Sequence, residues 1–186
     1  SAIKFTNQSS EKAYQNYIDD MQILLLTHNL RESPPNSEIR TIARTRTLNV
    51  LRQTNGKYKG YVVQFLHEAG LLKTFWNGKD FKFGDHSPII QLRGADLRNA
   101  VLKGASLTNV HLEQVDLIDA DMSKAYLSGS CFLGSLLLSA NLHKSNLEYA
   151  GLQNTRMNSS DLSYSSLIES NISVSNLSKA NLRHAK

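Results

Sequence analysis

The sequence predicts a mainly β protein, in which a solenoid of stacked coils over residues 90–186 follows a small α-helical domain over residues 1–89. Large apolar residues recur at every fifth position of the second half. This period fits neither the 3.6 residues of a helical turn nor the alternation of a strand. The first half lacks the period and spaces its apolar residues three and four apart, as helices do.

The repeat is clearest in residues 94–109, GADLRNAVLKGASLTN, where leucines stand at 97, 102 and 107. Every fifth residue from Leu92 to Leu182 continues the series, and all nineteen of these centres are large and apolar. The residue two positions before a centre is Ala eight times and Ser seven times. The residue directly before it is Asp or Asn nine times. Each five-residue frame therefore has one large and one small inward position.

A chain that turns a corner after each frame, and closes a coil after four frames, stacks each centre on the centre 20 residues later. Nineteen frames then give about 4.75 coils, a rod roughly 23 Å long at the spacing of neighbouring strands. Asp and Asn suit the corners because their short side chains bond nearby backbone N–H groups.

Residues 90–186 resemble the pentapeptide-repeat family, whose pattern is A-(D/N)-L-x-x, most clearly in ADLRN, ANLHK and ANLRH at 95–99, 140–144 and 180–184. The resemblance implies a right-handed quadrilateral β-solenoid. Ser replaces Ala at positions 160, 165, 170 and 175, and we expect these hydroxyls to bond backbone carbonyls.

Apolar spacing in the first half predicts three helices, and a turn signal predicts a hairpin. Their ranges, in order, are 10–29, 37–54, 58–69 and 74–84. Ser10 and Ser37 are the expected N-caps of the first two helices. The Pro34-Pro35 pair separates these helices, and Gly70 ends the third. We expect this domain to cap the first coil of the solenoid, because an uncovered coil exposes a flat edge.

The segment 38–72 is similar to the helical region that precedes the repeats in a group of cyanobacterial pentapeptide-repeat proteins. In that group an upstream membrane anchor is common. The chain starts with Ser1 rather than Met, so we expect a natural chain that begins upstream and carries a membrane tether there. Without such a segment the expected location is the cytoplasm, which the single cysteine, Cys131, also favours.

The residues predict no enzyme, cofactor or metal site. The six histidines do not pair with other ligands at metal-binding spacing. No nucleophile motif and no glycine-rich phosphate loop is present. The net charge of +5 is mild and disfavours a nucleic-acid partner.

A cluster of basic residues in the second helix, with Arg40 and Arg44 one turn apart, has two interpretations. One is a solvated helix face. The other is contact with an anionic surface, which would make the protein a scaffold at the membrane. The residues concerned are Arg40, Arg44, Arg46 and Arg52.

Apolar residues at outward positions of the solenoid predict a protein-binding patch. Leu133, Leu136 and Leu138 point outward in CFLGSLLLSA, and Ile118 stands 20 residues before Leu138. Exposed apolar patches on solenoids favour partner contact, although cover by the helical half is an alternative. We term these four residues the apolar strip.

The sequence therefore predicts a non-catalytic protein-interaction or scaffold module, in a biological process that the residues do not name. A second copy of the chain, joined through the open C-terminal coil, is an alternative partner. A DNA mimic directed at a type II topoisomerase is another, by resemblance to family members that protect gyrase. Against it, residues 90–186 hold eight acids and nine Lys and Arg, where a mimic requires strong negative charge.

Overall fold

The structure, a computed structural model, describes residues 5–73 and 87–186. Three α-helices occupy the first part: α1 (Asn7–Leu26), α2 (Glu38–Gln53) and α3 (Gly56–Glu68). A short 3-10 turn, Leu30–Glu32, lies between α1 and α2. The hairpin predicted for residues 74–84 lies outside the described residues.

Helix α1 begins three residues before its predicted start. The cap is Thr6, whose side chain accepts a hydrogen bond from Ser9 N–H. The prediction that Ser10 caps this helix is therefore wrong. Ser10 lies fully buried within α1, and its hydroxyl accepts a bond of 3.0 Å from Asn55 N–H.

Helices α2 and α3 follow their predictions closely. Ser37 precedes α2, although its side chain makes no capping bond. Gly70 follows α3 with φ of +73°, a conformation that glycine adopts without cost. The three helices pack around a common core, at the centre of which lie the fully buried Met21, Leu51 and Leu66.

The second part is a stack of 20-residue coils. Parallel single-residue bridges join positions 20 apart, as in Asp96–Asp116 and Asp116–Leu136, and continue to Asp161–Asn181. Each centre from Leu97 to Leu167 donates its N–H to the coil that follows, as Leu97 does to Asp116 O at 2.8 Å. The expectation of a mainly β protein needs correction here, because the described residues form isolated bridges and no continuous strand. The chain turns after every frame, so no segment stays extended long enough.

The inward positions form one continuous core. Centres from Leu92 to Leu162 are at most 2% exposed, and Phe132 is the largest fully buried side chain. Inward hydroxyls find partners in the backbone, as expected: Ser160 donates to Met157 O at 2.8 Å and Ser165 donates to Leu162 O at 2.7 Å. Ser175 also donates to a carbonyl, whereas no such bond is found for Ser170.

Two local features close each frame. The Asp or Asn before a centre accepts a bond from the N–H two residues later, as Asp121 does from Ser123 at 3.0 Å. All nine such residues make this bond. The second residue after every centre, from Gly94 to His184, has positive φ, which turns the chain into the next frame.

Candidate interaction surfaces

Helices α2 and α3 lie directly against the first coil and supply hydrogen-bond partners that a preceding coil would otherwise provide. In the interior of the solenoid, the residue directly before each centre donates its N–H to the preceding coil, as Asp121 does to Ala100 O. The corresponding N–H of Val101 donates instead to Gly56 O, at 2.9 Å. This contact requires glycines, because a Cβ on Gly56 or Gly60 would stand 1.9 or 2.0 Å from a backbone oxygen of residue 99 or 101.

Basic side chains satisfy the first coil's unpaired carbonyls. Arg44 donates from Nε to Gln91 O at 3.0 Å and from Nη2 to Arg93 O at 2.8 Å. Lys59, only 6% exposed, donates from Nζ to Arg98 O at 3.2 Å and to the Asp96 carboxylate at 2.9 Å.

An ion-pair network joins these two layers through Asp96. Arg98 donates two bonds to the same carboxylate, from Nε at 3.0 Å and from Nη2 at 2.8 Å. Burial acts to raise the pKa of Asp96, but the hydrogen bonds from Arg98 and Lys59 outweigh it and hold the pKa well below its usual range. Asp96 is therefore charged at neutral pH and ties α3 to the coil.

The four arginines predicted to face an anionic surface have separate roles in the structure. Arg44 bonds the coil, and Arg40 donates to the backbone oxygen of Ser33 at 2.5 Å. Arg46 forms an ion pair with Asp20, while Arg52 is exposed. Three of the four guanidinium groups are thus engaged within the protein, through contacts between distant segments that no local sequence pattern indicates.

The structure brings together three members of the apolar strip. Leu136 bridges Asp116 on one side and Arg156 on the other. Ile118 and Leu138 stack beside it, since Asp119 N–H bonds Leu138 O at 3.0 Å. Leu133 lies one frame earlier along the coil. All four side chains are half-buried, because neighbouring coils cover part of each.

Other outward positions of the solenoid carry apolar side chains that are more exposed. Val174 is 84% exposed, and Val101, Tyr126, Tyr149, Tyr164 and Ile168 are between 48% and 59% exposed. Tyr164 also belongs to a column of outward residues at 20-residue spacing: Lys124, Lys144, Tyr164 and His184. Sequence analysis did not single out this column, although the spacing was the signal that would have found it.

Among residues 5–73 and 87–186, no group of three or more His, Cys, Asp or Glu is placed to hold a metal ion. His67 is buried rather than at the surface, and burial lowers its pKa. His111 bonds Glu113 at 3.0 Å. Cys131 is buried, which raises its thiol pKa. None of the helices in the described part of the chain is long and apolar enough to cross a membrane.

Comparison with solved structures finds pentapeptide-repeat proteins. A protein of the Arabidopsis thaliana thylakoid lumen is 22% identical, over 45% of this chain and 62% of that one, with a TM-score of 0.42. HetL, described as involved in heterocyst differentiation regulation in the cyanobacterium Nostoc, is 27% identical over 52% of this chain and 51% of its own, with a TM-score of 0.31. QnrB1, a plasmid-mediated fluoroquinolone resistance protein, is 16% identical over 52% and 76%, with a TM-score of 0.26.

The chain thus spans less than two thirds of the Arabidopsis and Nostoc proteins. No curated protein matches it. The family model for pentapeptide repeats matches residues 95–134 and 135–173, in eight copies. The match coincides with the stacked coils and their five-residue frames. Residues 95–173 of this chain thus match the model of pentapeptide repeats.

Proposed function

We propose that this protein is a non-catalytic protein-interaction module that binds a partner protein through the apolar strip. The observation that carries the proposal is that Ile118, Leu136 and Leu138 stand at outward positions of adjacent coils, where most other frames carry polar residues. Water-facing positions of a repeat need no large apolar side chain, so such a cluster favours contact with another surface.

The surroundings of the strip also suit an interface. Leu136 has Asp116 and Arg156 as its bridge partners in the coils on either side. An apolar centre with charged residues at its margin is the usual arrangement in protein–protein contacts. The side chains are held by the stacked coils, so binding orders few new groups.

The finer geometry of the rod belongs to the same proposal. Four frames per coil, each closed by one residue of positive φ, support a four-sided coil. We infer that the coil is right-handed from its resemblance to the family. A rod of this form presents flat sides, and the strip would occupy one side and the adjoining edge.

A second copy of the chain is the other candidate partner, and it would bind at the last coil rather than at the apolar strip. In the last coil, the apolar centres Ile172 and Leu182 are 42% and 43% exposed. Stacking against a second copy would cover them. Sedimentation velocity separates this case from the first, because only self-association makes the apparent mass rise with concentration.

The charge pattern does not favour a DNA mimic. The bridged column that starts at Asp96 continues through Asp116, Leu136, Arg156 and Asn176, so its charge changes sign along the rod. A membrane-surface scaffold would need free guanidinium groups, and those of Arg40 and Arg44 are engaged.

The proposal is tested by capture from a lysate of the source organism, with bound proteins identified by mass spectrometry. The test variant is Leu136→Asp/Leu138→Asp. Four other frames carry Asp at the position of Leu136 and five carry Asn, so the coil accommodates Asp there. The control is Ile168→Asp, which changes an exposed apolar residue in another column.

We expect wild type and the control to retain a common partner that the double variant loses, with unchanged circular dichroism. Retention by all three proteins would show that the strip is not the contact surface. Equal loss in both variants would point to a general effect of added charge and would also count against the strip.

A further inference from the structure

The column formed by Lys124, Lys144, Tyr164 and His184, termed here the basic edge, runs along the solenoid at a corner between frames. All four side chains are exposed, and all four residues have φ between 58° and 60°. Because the residues are 20 apart, successive side chains are about 4.8 Å apart along the rod. The edge therefore projects a row of four side chains in one direction, two of them lysines.

Contacts within the basic edge hold Lys144, Tyr164 and His184 in place. Lys144 Nζ stands 5.7 Å from the centre of the Tyr164 ring. The Tyr164 ring stacks on His184, with centroids 4.6 Å apart and planes 25° apart. His143 meets the same ring edge-on at 5.6 Å and bonds Ser163 Oγ at 2.8 Å. A lysine held over an aromatic ring loses less freedom when it binds an anion.

Further positive charge lies beside the edge, in the adjacent column that contains Lys103 and Arg183. Two acids, Asp121 and Asp161, face the same side of the coils. Asp161 accepts bonds from Ser163 N–H and from Asn181 Nδ2, and Asp121 accepts one from Ser123 N–H. These donors are neutral, so both carboxylates keep their charge. Four Lys and Arg against two acids leave this surface with a net charge of +2.

We propose that the basic edge binds an acidic segment of a partner protein, with carboxylates paired to Lys124 and Lys144. Charge complementarity carries the choice of an anion. The choice of a protein segment over a nucleic acid follows from the rings. Single-stranded nucleic acids bind by stacking bases on free aromatic faces. Here one face of Tyr164 is covered by His184 and the other is near Lys144.

Tyr126 provides an additional contact at this site. It stands two residues after Lys124, across the corner occupied by the buried Ala125, and is 59% exposed. A tyrosine in such a position suits an apolar residue within the acidic segment. This surface is separate from the apolar strip, and the inference does not depend on the strip.

The test measures binding of a fluorescein-labelled oligoglutamate peptide of about ten residues to the full chain. Fluorescence anisotropy is recorded at about 20 mM salt, where charge pairing is least screened. The test variant is Lys124→Asn/Lys144→Asn, since Asn tolerates positive φ. The control, Arg156→Asn/Lys179→Asn, removes the same charge elsewhere on the rod. Tyr164→Asn removes the ring without changing the charge.

We expect the affinity to fall about tenfold in the Lys124/Lys144 variant, because two direct ion pairs are lost. It should fall about threefold in Tyr164→Asn and less than about twofold in the control. The Leu136→Asp/Leu138→Asp variant should bind the peptide as wild type does. This result would separate the present inference from the proposed function, which depends on the strip.

Three results would overturn the inference. One is the absence of peptide binding by wild type. Another is equal weakening in the test and control variants, which would show attraction by net charge alone. The last is tighter binding of an oligothymidylate of equal charge than of oligoglutamate, with loss in the Lys124/Lys144 variant, which would assign the edge to nucleic acid.

Discussion

Single residues set both the regularity of the rod and its freedom to carry surfaces. An Asp or Asn before the centre bonds the backbone within its own frame, and the residue of positive φ turns the chain. Neither feature depends on the identity of the residue directly after the centre. An outward residue such as Leu138, which directly follows its centre, can therefore change without loss of the coil, which is why a binding surface can be sought there.

Gly60 is the residue at which one added methyl group should do most harm. A Cβ there would stand 2.0 Å from Val101 O and 3.0 Å from Val101 C, both backbone atoms that cannot rotate away. In an exposed helix, Gly→Ala gains about 1 kcal/mol. At Gly60 the clash should make the substitution destabilising instead. We expect Gly60→Ala to lower the free energy of unfolding by about 2 kcal/mol in urea denaturation.

The control for this prediction is Gly104→Asn. Gly104 has φ of +67°, and a Cβ there meets nothing within 4 Å. Asn tolerates this conformation, so stability should change by less than about 0.5 kcal/mol. A Gly60→Ala protein as stable as wild type would mean that α3 does not lie against the first coil in solution.

At the scale of elements, α2 and α3 supply the first coil with the hydrogen-bond partners that a preceding coil would provide. They present the Gly56 carbonyl to Val101 N–H, and Arg44 and Lys59 to the carbonyls of the first coil. Basic residues on these helices thus have an internal role. The interpretation of a cationic face from charge alone overlooked that backbone carbonyls at the end of a solenoid also attract cations.

The charge of Asp96 should make this junction sensitive to acid. Its pKa is depressed in the folded state, so its contribution to stability is full above the ordinary value of 3.8 and is lost as the pH falls below it. We expect Asp96→Asn to be less stable than wild type by about 2 kcal/mol at pH 7. The difference should narrow as the pH falls from about 5 to about 2.

Asp121→Asn is the matched control, because Asp121 holds the same position within its frame, one coil and one frame later, and accepts a bond from Ser123 N–H. Asn makes the same bond elsewhere, as Asn141 does to His143 N–H at 3.1 Å. Thermal unfolding followed across the pH range should show a pH-dependent difference for position 96 alone. If the thermal stability of both variants depends on pH in the same way, a special role for the Asp96 ion pairs is excluded.

At the scale of the whole molecule, the rod and the position of its helical cap could be predicted, but the contacts that join the two could not. The centres from Leu92 to Leu182 determine the coil because each repeats the same local rule every five residues. Arg44 and Gln91 are 47 residues apart and meet only through packing, which no local pattern records. The basic edge is an intermediate case. Its 20-residue spacing is written in the sequence, but the stacking of Tyr164 on His184 depends on side-chain geometry.

Because the helices cover only the first coil, the two ends of the rod should differ in local stability. Asp121 N–H donates to Ala100 O, and Asn181 N–H donates to Ser160 O, each at 2.9 Å. The bonds are equivalent, but the first lies between coils covered by α3, whereas the neighbouring centre Leu182 is 43% exposed. In a solenoid each coil is stabilised only by its neighbours, so the last coil should open without the rest.

In native-state hydrogen exchange of the 186-residue chain, we expect the Asn181 amide to exchange at least about 100-fold faster than that of Asp121. In Gly60→Ala, Asp121 should lose protection while Leu142 and Leu152 keep theirs. Equal protection of Asp121 and Asn181 would mean that the rod opens only as a whole, and that coupling between coils extends beyond nearest neighbours.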